Sequence, residues 1–363
     1  MIQVFNRVLI FDGSYALHRA MSVPNNYEMA TSYGKLTGGI FGVLRTIQKE
    51  LKTYNYFPIV VFDGGLSKRR LSIYPNYKKA EEKALLREDA NHIKTEEELL
   101  DEEFRREYNT QRNDLIQLLP LLGIPTIRLD DWEGDDIIYI ISKICKDSII
   151  VSDDKDLIQL IKEPDVNENR RCRIRRPLKD EFLDLHKLNE TRQNIAEYIG
   201  CKSIVGDPSD NIPSACYQVG DKTAPGLYHL YEHITNKNLE FPKSEDELGK
   251  LCKELNISKR KAYLNFNEEQ FLNNLLLTDL SLVDNELSNE LLTIIYEKLI
   301  EMFDYSNIEV LAYELNQLEI KSFDYQNLLN RVAYLKDTFK IEDEEKVKNL
   351  QETTIIKGIF DMI

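Results

Sequence analysis

The 363-residue chain contains no run of about 18 apolar residues, which excludes a membrane-spanning helix at the level of sequence. Its polar start, MIQVFNR, runs straight into a strand-like segment and so does not resemble a secretory signal peptide; a cytoplasmic location is expected. Cysteine is sparse. Cys145, Cys172, Cys201, Cys216 and Cys252 are odd in number, widely spaced and without a Cys-x-x-Cys pair, so they read as reduced structural thiols rather than a disulfide framework. The five histidines lack metal spacing; His229 and His233 stand four apart, but no acidic group completes a zinc motif. Internal repeats and low-complexity tracts are absent. Positive charge is in deficit, with 47 Lys+Arg against 62 Asp+Glu and a net charge of −15. Taken alone, that balance argues against a nonspecific nucleic-acid coat protein.

What is present is ordinary globular composition, 42% hydrophobic and 30% charged, in a length that suits about two domains. Three short apolar runs end in aspartate: VLIFD (Val8 to Asp12), IVVFD (Ile59 to Asp63) and SIIVSDDKD (Ser148 to Asp156). Rich in Val, Ile and Phe and without polar alternation, they read as strands buried on both faces of a parallel sheet. PTIRL (Pro125 to Leu129) reads as a further strand. Between them, Gly38 to Lys52 places Phe41, Leu44, Ile47 and Leu51 on one helical face, and Trp132 to Lys146 aligns Ile137, Ile140, Ile141 and Ile144. This alternation predicts an α/β fold around a central, mainly parallel twisted sheet flanked by helices.

Charge is sorted along the chain. Leu66 to Lys94 carries eight basic and four acidic residues, whereas Thr95 to Glu107 carries two basic and seven acidic. In isolation such a run reads as a solvated helical pair. RRCRIRRPLK (Arg170 to Lys179) has six basic residues and no acidic one, consistent with a basic surface turn or loop. Leu280 to Ile363 is acidic and amphipathic, with 17 acidic against 8 basic residues.

Ligands of open parallel sheets gather outside the carboxyl ends of the strands. The strand assignments put Asp12, Asp63 and Asp153/Asp154/Asp156 at that edge. EGDD adds Glu133, Asp135 and Asp136 at a helix entrance, and GDPSD adds Asp207 and Asp210. Any single one of them reads as a helix cap, and Asp130, Asp131 and Asp153 keep that reading. So many carboxylates together would repel one another strongly unless divalent cations were present. Oxygen-only ligands suit Mg²⁺, with Mn²⁺ able to substitute, and a two-ion site suits phosphodiester hydrolysis.

FDG (Phe11 to Gly13), VFDG (Val61 to Gly64), EGDD, SDDKDLIQL (Ser152 to Leu160), and GDPSDNIP followed by VGDKTA together resemble the 5′-nuclease family. That family holds flap endonucleases, the 5′-to-3′ exonuclease domain of bacterial DNA polymerase I and RNase H-type phage nucleases. The resemblance runs in family order from about Val8 to Val283. TEEELLDEEF (Thr95 to Phe104) and NEEQFLNNLLLTDLSLVD (Asn267 to Asp284) resemble the phage flap endonucleases in particular, which would place the protein in a host cytoplasm.

The resemblance implies a first metal held by Asp12, Asp63, Glu133 and Asp135, and a second held by Asp154, Asp156 and Asp210, with Asp136 and Asp207 in support. It implies that the charge-split segment, about 66–107, arches over the active site. There Lys78 would contact the scissile phosphate and Tyr77 could stack on a displaced base, while Arg69, Arg70, Lys79, Lys83 and Arg87 would reach phosphates. An arginine common after the Tyr-Lys pair is replaced by Glu81. NIP followed by VGDKTA resembles a helix-hairpin-helix that grips duplex backbone, with Gly220 permitting the turn and Lys222 on a phosphate. Ser214 stands in place of a glycine, a second hairpin glycine is missing around Tyr217 and Gln218, and the hairpin is one residue longer. These departures bear on the K⁺ site that the family builds from hairpin carbonyls. Thr37, Gly38, Gly39 and Phe41 resemble the start of a template-strand wedge.

The expected organisation is a nuclease core over 1–200, a duplex-binding region over 201–284 and an acidic helical extension over 285–363. The expected activity is Mg²⁺-dependent, structure-specific 5′-nuclease action by a monomer on DNA or RNA-DNA with 5′ ends, flaps or junctions, removing primers during replication. Replication proteins such as a polymerase, clamp or single-strand-binding protein are candidate partners of the tail, whose apolar periodicity favours packing against the rest of the chain. Two alternatives are a PIN-like ribonuclease, against which VGDKTA argues, and a non-catalytic junction-binding protein, against which the complete acid set argues.

Overall fold

The computed structural model describes residues 5–81, 94–165, 169–190, 194–282, 291–295, 297–298 and 308–336. By packing, the chain divides into two units. One comprises Met1–Gly65, Ile93–His186 and Val283–Ile363; the other comprises Leu66–His92 and Lys187–Leu282.

Among the described residues, the first unit has six strands: β1 (Phe5–Asp12), β2 (Phe57–Phe62), β3 (Thr126–Arg128), β4 (Cys145–Val151), β5 (Arg171–Arg176) and β6 (Glu181–Leu183). Their spatial order is β3-β2-β1-β4-β5-β6, parallel except for the β5–β6 pair. Val8, Leu9 and Ile10 are fully buried, as is every residue of β2, which is why these strands read as continuous apolar runs. The chain runs outward from β1 through β2 to β3 and then returns to the other side of β1 as β4. The strand order therefore reverses at β1/β4, where open α/β sheets form their ligand crevice.

Helices Gly13–Met21 and Gly38–Thr53 pack on each other, and Gly134–Ile144 packs against β1, β2 and β4. The acidic half of the charge-split segment is one long helix, Glu96–Leu121. It opens with a capping box between Thr95 and Glu98, and its first-turn Glu96, Glu97 and Glu98 suit the positive end of the helix dipole. Part of the acidic C-terminal region belongs to this same unit. Helix Ile308–Leu318 packs on Glu96–Leu121, and Tyr325–Lys336 packs against β2. Arg331 donates to Leu51 O (2.9 Å) and Asn55 Oδ1 (2.6 Å), capping the carboxyl end of Gly38–Thr53.

RRCRIRRPLK is not a surface loop. Its Arg171–Arg176 stretch forms β5, and its arginines meet carboxylates of the same unit: Arg171 with Glu163, Arg173 with Asp147, Arg175 with Glu50 and Asp180, Arg176 with Asp153 and Glu181. Its acidic partners come both from the flanking sequence, Glu163, Asp180 and Glu181, and from other segments, Glu50, Asp147 and Asp153.

The second unit is helical: Lys68–Ile73, Ile195–Val205, Ala224–Asn236, Glu245–Glu254 and Glu268–Thr278, around a core that includes Ile204, Leu227, Leu230, Leu248, Tyr263 and Phe271. Buried Asn274 ties the last helix to the carbonyls of Ser203 and Pro213, at 2.8 Å each. Gly206 opens the GDPSD segment at φ +76, with Ile212 O 2.5 Å from where a Cβ would stand, so a side chain is excluded there. His229 and His233 face different carboxylates, buried Glu197 at 3.4 Å and exposed Glu254 at 3.5 Å, and so do not converge on one acid.

Candidate active site

The sheet unit gathers its acids at the reversal of strand order. Asp12 ends β1, is 8% exposed and caps the following helix by accepting from Tyr15 N at 2.9 Å; its other oxygen accepts from Ser152 Oγ, also at 2.9 Å. Asp63 follows β2. Its Oδ1 accepts from Gly134 N at 2.6 Å, so Asp63 rather than the adjacent Glu133 takes the first amide of helix Gly134–Ile144. A Cβ at residue 134 would lie 3.0 Å from that oxygen, which accounts for the glycine in EGDD. Glu133 is buried without capping the helix; Asp135 and Asp136 occupy the first turn, and Asp136 is fully buried.

After β4 the loop folds on itself. Asp154 N donates to Ser152 Oγ (3.0 Å) and Asp156 N to Asp154 Oδ1 (2.8 Å). Burial and then Asp63 push the Asp12 carboxyl up to about 7. Asp135 is held well above the usual carboxylate range by burial and by Asp154, Asp156, Asp12 and Asp63. Asp12, Asp63, Asp135, Asp154 and Asp156 thus form one mutually repelling group. Asp153 stands apart from it, bonded to Tyr15 and Leu178.

In the helical unit, Tyr77 and Lys78 lie in a short 3₁₀ turn, Tyr77–Lys79, in which Lys78 and Lys79 take left-handed backbone (φ 52 and 57). The Tyr77 ring is 2% exposed and packs with Ile212 and Leu277; its hydroxyl donates to Asp210 Oδ2 at 3.0 Å. In this structure that ring has no open face for a base, because the apolar core of the unit covers it. Lys78 donates its backbone amide to Asp210 O (2.8 Å), and its Nζ lies 3.9 Å from Asp210 Oδ1.

Arg69 and Arg70 donate to the carbonyls of Leu276 and Leu277, and Arg70 is buried, so these guanidinium groups hold the end of Glu268–Thr278 instead of facing solvent phosphates. Asp207 bonds Ser209 N and Oγ and pairs with Lys202. Burial opposes its ionisation, but these partners outweigh it and bring the carboxyl below its usual range.

Lys79, Gly220 and Lys222 are exposed. Gly220 has open space where a Cβ would stand and no positive φ; the left-handed position of this segment is Gln218 (φ 68), so the turn does not depend on Gly220. Lys83 and Arg87 lie outside the described residues.

Sequence reasoning misses the neutral side chains that orient the acids. Ser14 Oγ accepts from Asp63 N (2.9 Å), and Tyr108, whose hydroxyl burial pushes up to about 12, hydrogen-bonds Ser14. Ser14 and Ser152 adjoin acidic motifs and could have been suspected; Tyr108 sits in a polar helix with no such signal.

Residues 7–189 match the sequence-family model of the 5′-3′ exonuclease N-terminal resolvase-like domain. A 5′-3′ exonuclease of Aquifex aeolicus is 30% identical over 255 residues, covering 66% of this chain and 76% of the relative. DNA polymerase I of Streptococcus pneumoniae is 28% identical over 265 residues, 71% of this chain but 27% of the polymerase. Among solved structures, the 5′-exonuclease of bacteriophage T5, described with divalent metal ions (zinc) bound, superposes with a TM-score of 0.56 at 21% identity, over 81% of this chain and 99% of its own. At that identity the superposition speaks for the fold. A second structure, a T5 flap endonuclease in a pseudo-enzyme-product complex with DNA and metal ions, gives 0.55 at 21%, with the same coverage.

A parallel sheet with its acids clustered at the point of strand reversal defines an α/β nuclease unit. The chain belongs to the 5′-3′ exonuclease family. Among the described residues, no helix is long and apolar enough to cross a membrane.

Proposed function

We propose that the protein is a Mg²⁺-dependent, structure-specific 5′-nuclease that hydrolyses phosphodiester bonds of DNA or RNA-DNA at 5′ ends, flaps or junctions during replication. The observation that carries this reading is the gathering of carboxylates at the strand reversal: Asp12 is buried and Asp135 partly so, and the strongest charges acting on each are those of other carboxylates. An oxygen-only, anionic donor set of this kind suits Mg²⁺ or Mn²⁺, which relieves the repulsion. Asp12, Asp63, Glu133 and Asp135 would hold one ion, and Asp154 and Asp156 the second, together with Asp210; Asp136 and Asp207 would support them. Bound there, the ions would lower the pKa of the attacking water and neutralise charge on the scissile phosphate.

The chain's own residues do the rest. Ser152 and the Tyr15 amide fix the rotamer of Asp12, Ser14 and the Gly134 amide fix Asp63, and Lys78 would stabilise charge developing on the phosphate. Lys79 and Lys222 would bind nucleic-acid backbone, with Lys83 and Arg87 added by the family resemblance. DNA-bound T5 flap endonuclease supports this choice of substrate class.

The test is cleavage of end-labelled 5′-flap, nicked, RNA-primed and blunt substrates with Mg²⁺ or with chelator. Metal-dependent products mapping to the junction or the 5′ terminus are expected. Internal cleavage of single-stranded RNA alone would favour the PIN-like reading, and junction binding without cleavage would favour a clamp.

A further inference from the structure

We propose that Asp153, buried and turned away from the acid cluster, is a positioning residue that sets the Asp154–Asp156 loop for divalent-metal binding, an inference that rests on the metal reading above. The side chain of Asp153 is 7% exposed. Its Oδ2 accepts from Tyr15 Oη at 2.7 Å and from Leu178 N at 2.9 Å, while its Oδ1 faces Arg176 Nε at 3.5 Å. Arg176 is itself anchored by Glu181 Oε1 at 3.0 Å. The Asp153 carboxylate therefore joins helix Gly13–Met21, the residue two after β5 and the β5 arginine, all in the sheet unit.

Tyr15 links the two sides of this arrangement. Its backbone amide holds Asp12 Oδ1 at 2.9 Å while its hydroxyl holds Asp153. Ser152 closes the circuit from the other direction, donating to Asp12 Oδ2 and accepting from Asp154 N. The loop is thus pinned immediately before Asp154 by two side chains, Ser152 to the acid cluster and Asp153 to its surroundings. With its carboxylate held by Tyr15 and Leu178 and facing Arg176, Asp153 shapes the ligands' geometry from outside the acid cluster. Residues that orient metal ligands in this way typically change metal affinity 10–100-fold when removed.

The test is Mn²⁺ titration of the full chain without nucleic acid, followed by calorimetry or electron paramagnetic resonance, on the wild type, Asp153→Ala, Asp153→Asn and Tyr15→Phe. Wild type is expected to bind Mn²⁺, Asp153→Ala to bind roughly tenfold or more weakly at one or more sites, and Tyr15→Phe severalfold more weakly. Asp153→Asn, which keeps an acceptor for Tyr15 and Leu178, should recover most of the affinity. Nuclease turnover of Asp153→Ala should climb back toward wild type at high Mg²⁺, which a general loss of folding would not produce. Wild-type Mn²⁺ affinity in Asp153→Ala overturns the positioning role. Should that variant fail to fold, wild-type affinity in Tyr15→Phe overturns it instead. A wild-type chain that binds no Mn²⁺ overturns the metal reading itself.

Discussion

Tyr77 Oη donates to Asp210 Oδ2 at 3.0 Å, while the next residue's amide, Lys78 N, donates to Asp210 O at 2.8 Å. The Tyr-Lys pair thus fixes both the side chain and the backbone of one acid. Tyr77→Phe keeps the buried ring and loses this bond. Stability should fall by about 1 kcal/mol and turnover by roughly tenfold or more, with KM for a flap substrate little changed. A loss confined to KM would favour stacking on a base.

Lys78 itself is held in left-handed backbone with its amine beside Asp210. Lys78→Ala should lower single-turnover cleavage by about two orders of magnitude, the scale of removing one transition-state donor. Equilibrium binding to duplex should change far less. Binding loss equal to the rate loss would make it a positioning contact on the phosphate.

Asp154→Asn combined with Asp156→Asn should abolish hydrolysis while junction binding survives in a gel-shift assay. Mg²⁺-dependent cleavage by the purified double variant would remove both residues from the metal site.

The raised Asp12 carboxyl gives the metal-free protein a pH dependence of definite sign. Its folded pKa of about 7 lies above the unfolded value of 3.8, so its stabilising contribution is fully present below 3.8 and is lost as pH rises through 7. Asp135 shifts in the same direction. Thermal melts in chelator should therefore decline from pH 5 to pH 8, and added Mg²⁺ should raise Tm more at pH 8 than at pH 5. An Mg²⁺ effect that is equal at both pH values would contradict the assignment.

Arg175 pairs with Glu50, which is 2% exposed, inside the sheet unit. Arg175→Ala leaves that carboxylate buried and uncompensated, for a loss of about 3–5 kcal/mol. The salt dependence of DNA binding should stay as in the wild type, because β5 arginines committed to carboxylates release no counterions from a duplex. A shallower salt slope in Arg175→Ala would return this strand to the nucleic-acid surface.

The sequence by itself determined four of the parallel strands and most of the acids gathered at their ends. Strands buried on both faces need uninterrupted Val, Ile and Phe, and their carboxyl ends are where polar residues can first appear, so VLIFD and IVVFD announced the fold and where acids would gather in it. It also determined the family, through the order of FDG, VFDG, EGDD, SDDKD and GDPSDNIP. Tertiary structure alone decided which charges are engaged and by what. RRCRIRRPLK is a basic surface in one dimension and a paired strand in three, since Glu50, Asp147 and Asp153 arrive from other segments. Tyr77, a stacking platform by motif, is a buried hydrogen-bond donor, and Asp153, a helix cap by position, is tied to Tyr15 and Arg176. The net charge of −15 carried none of this, because electrostatic energy depends on distance and burial between groups, and a linear count contains neither.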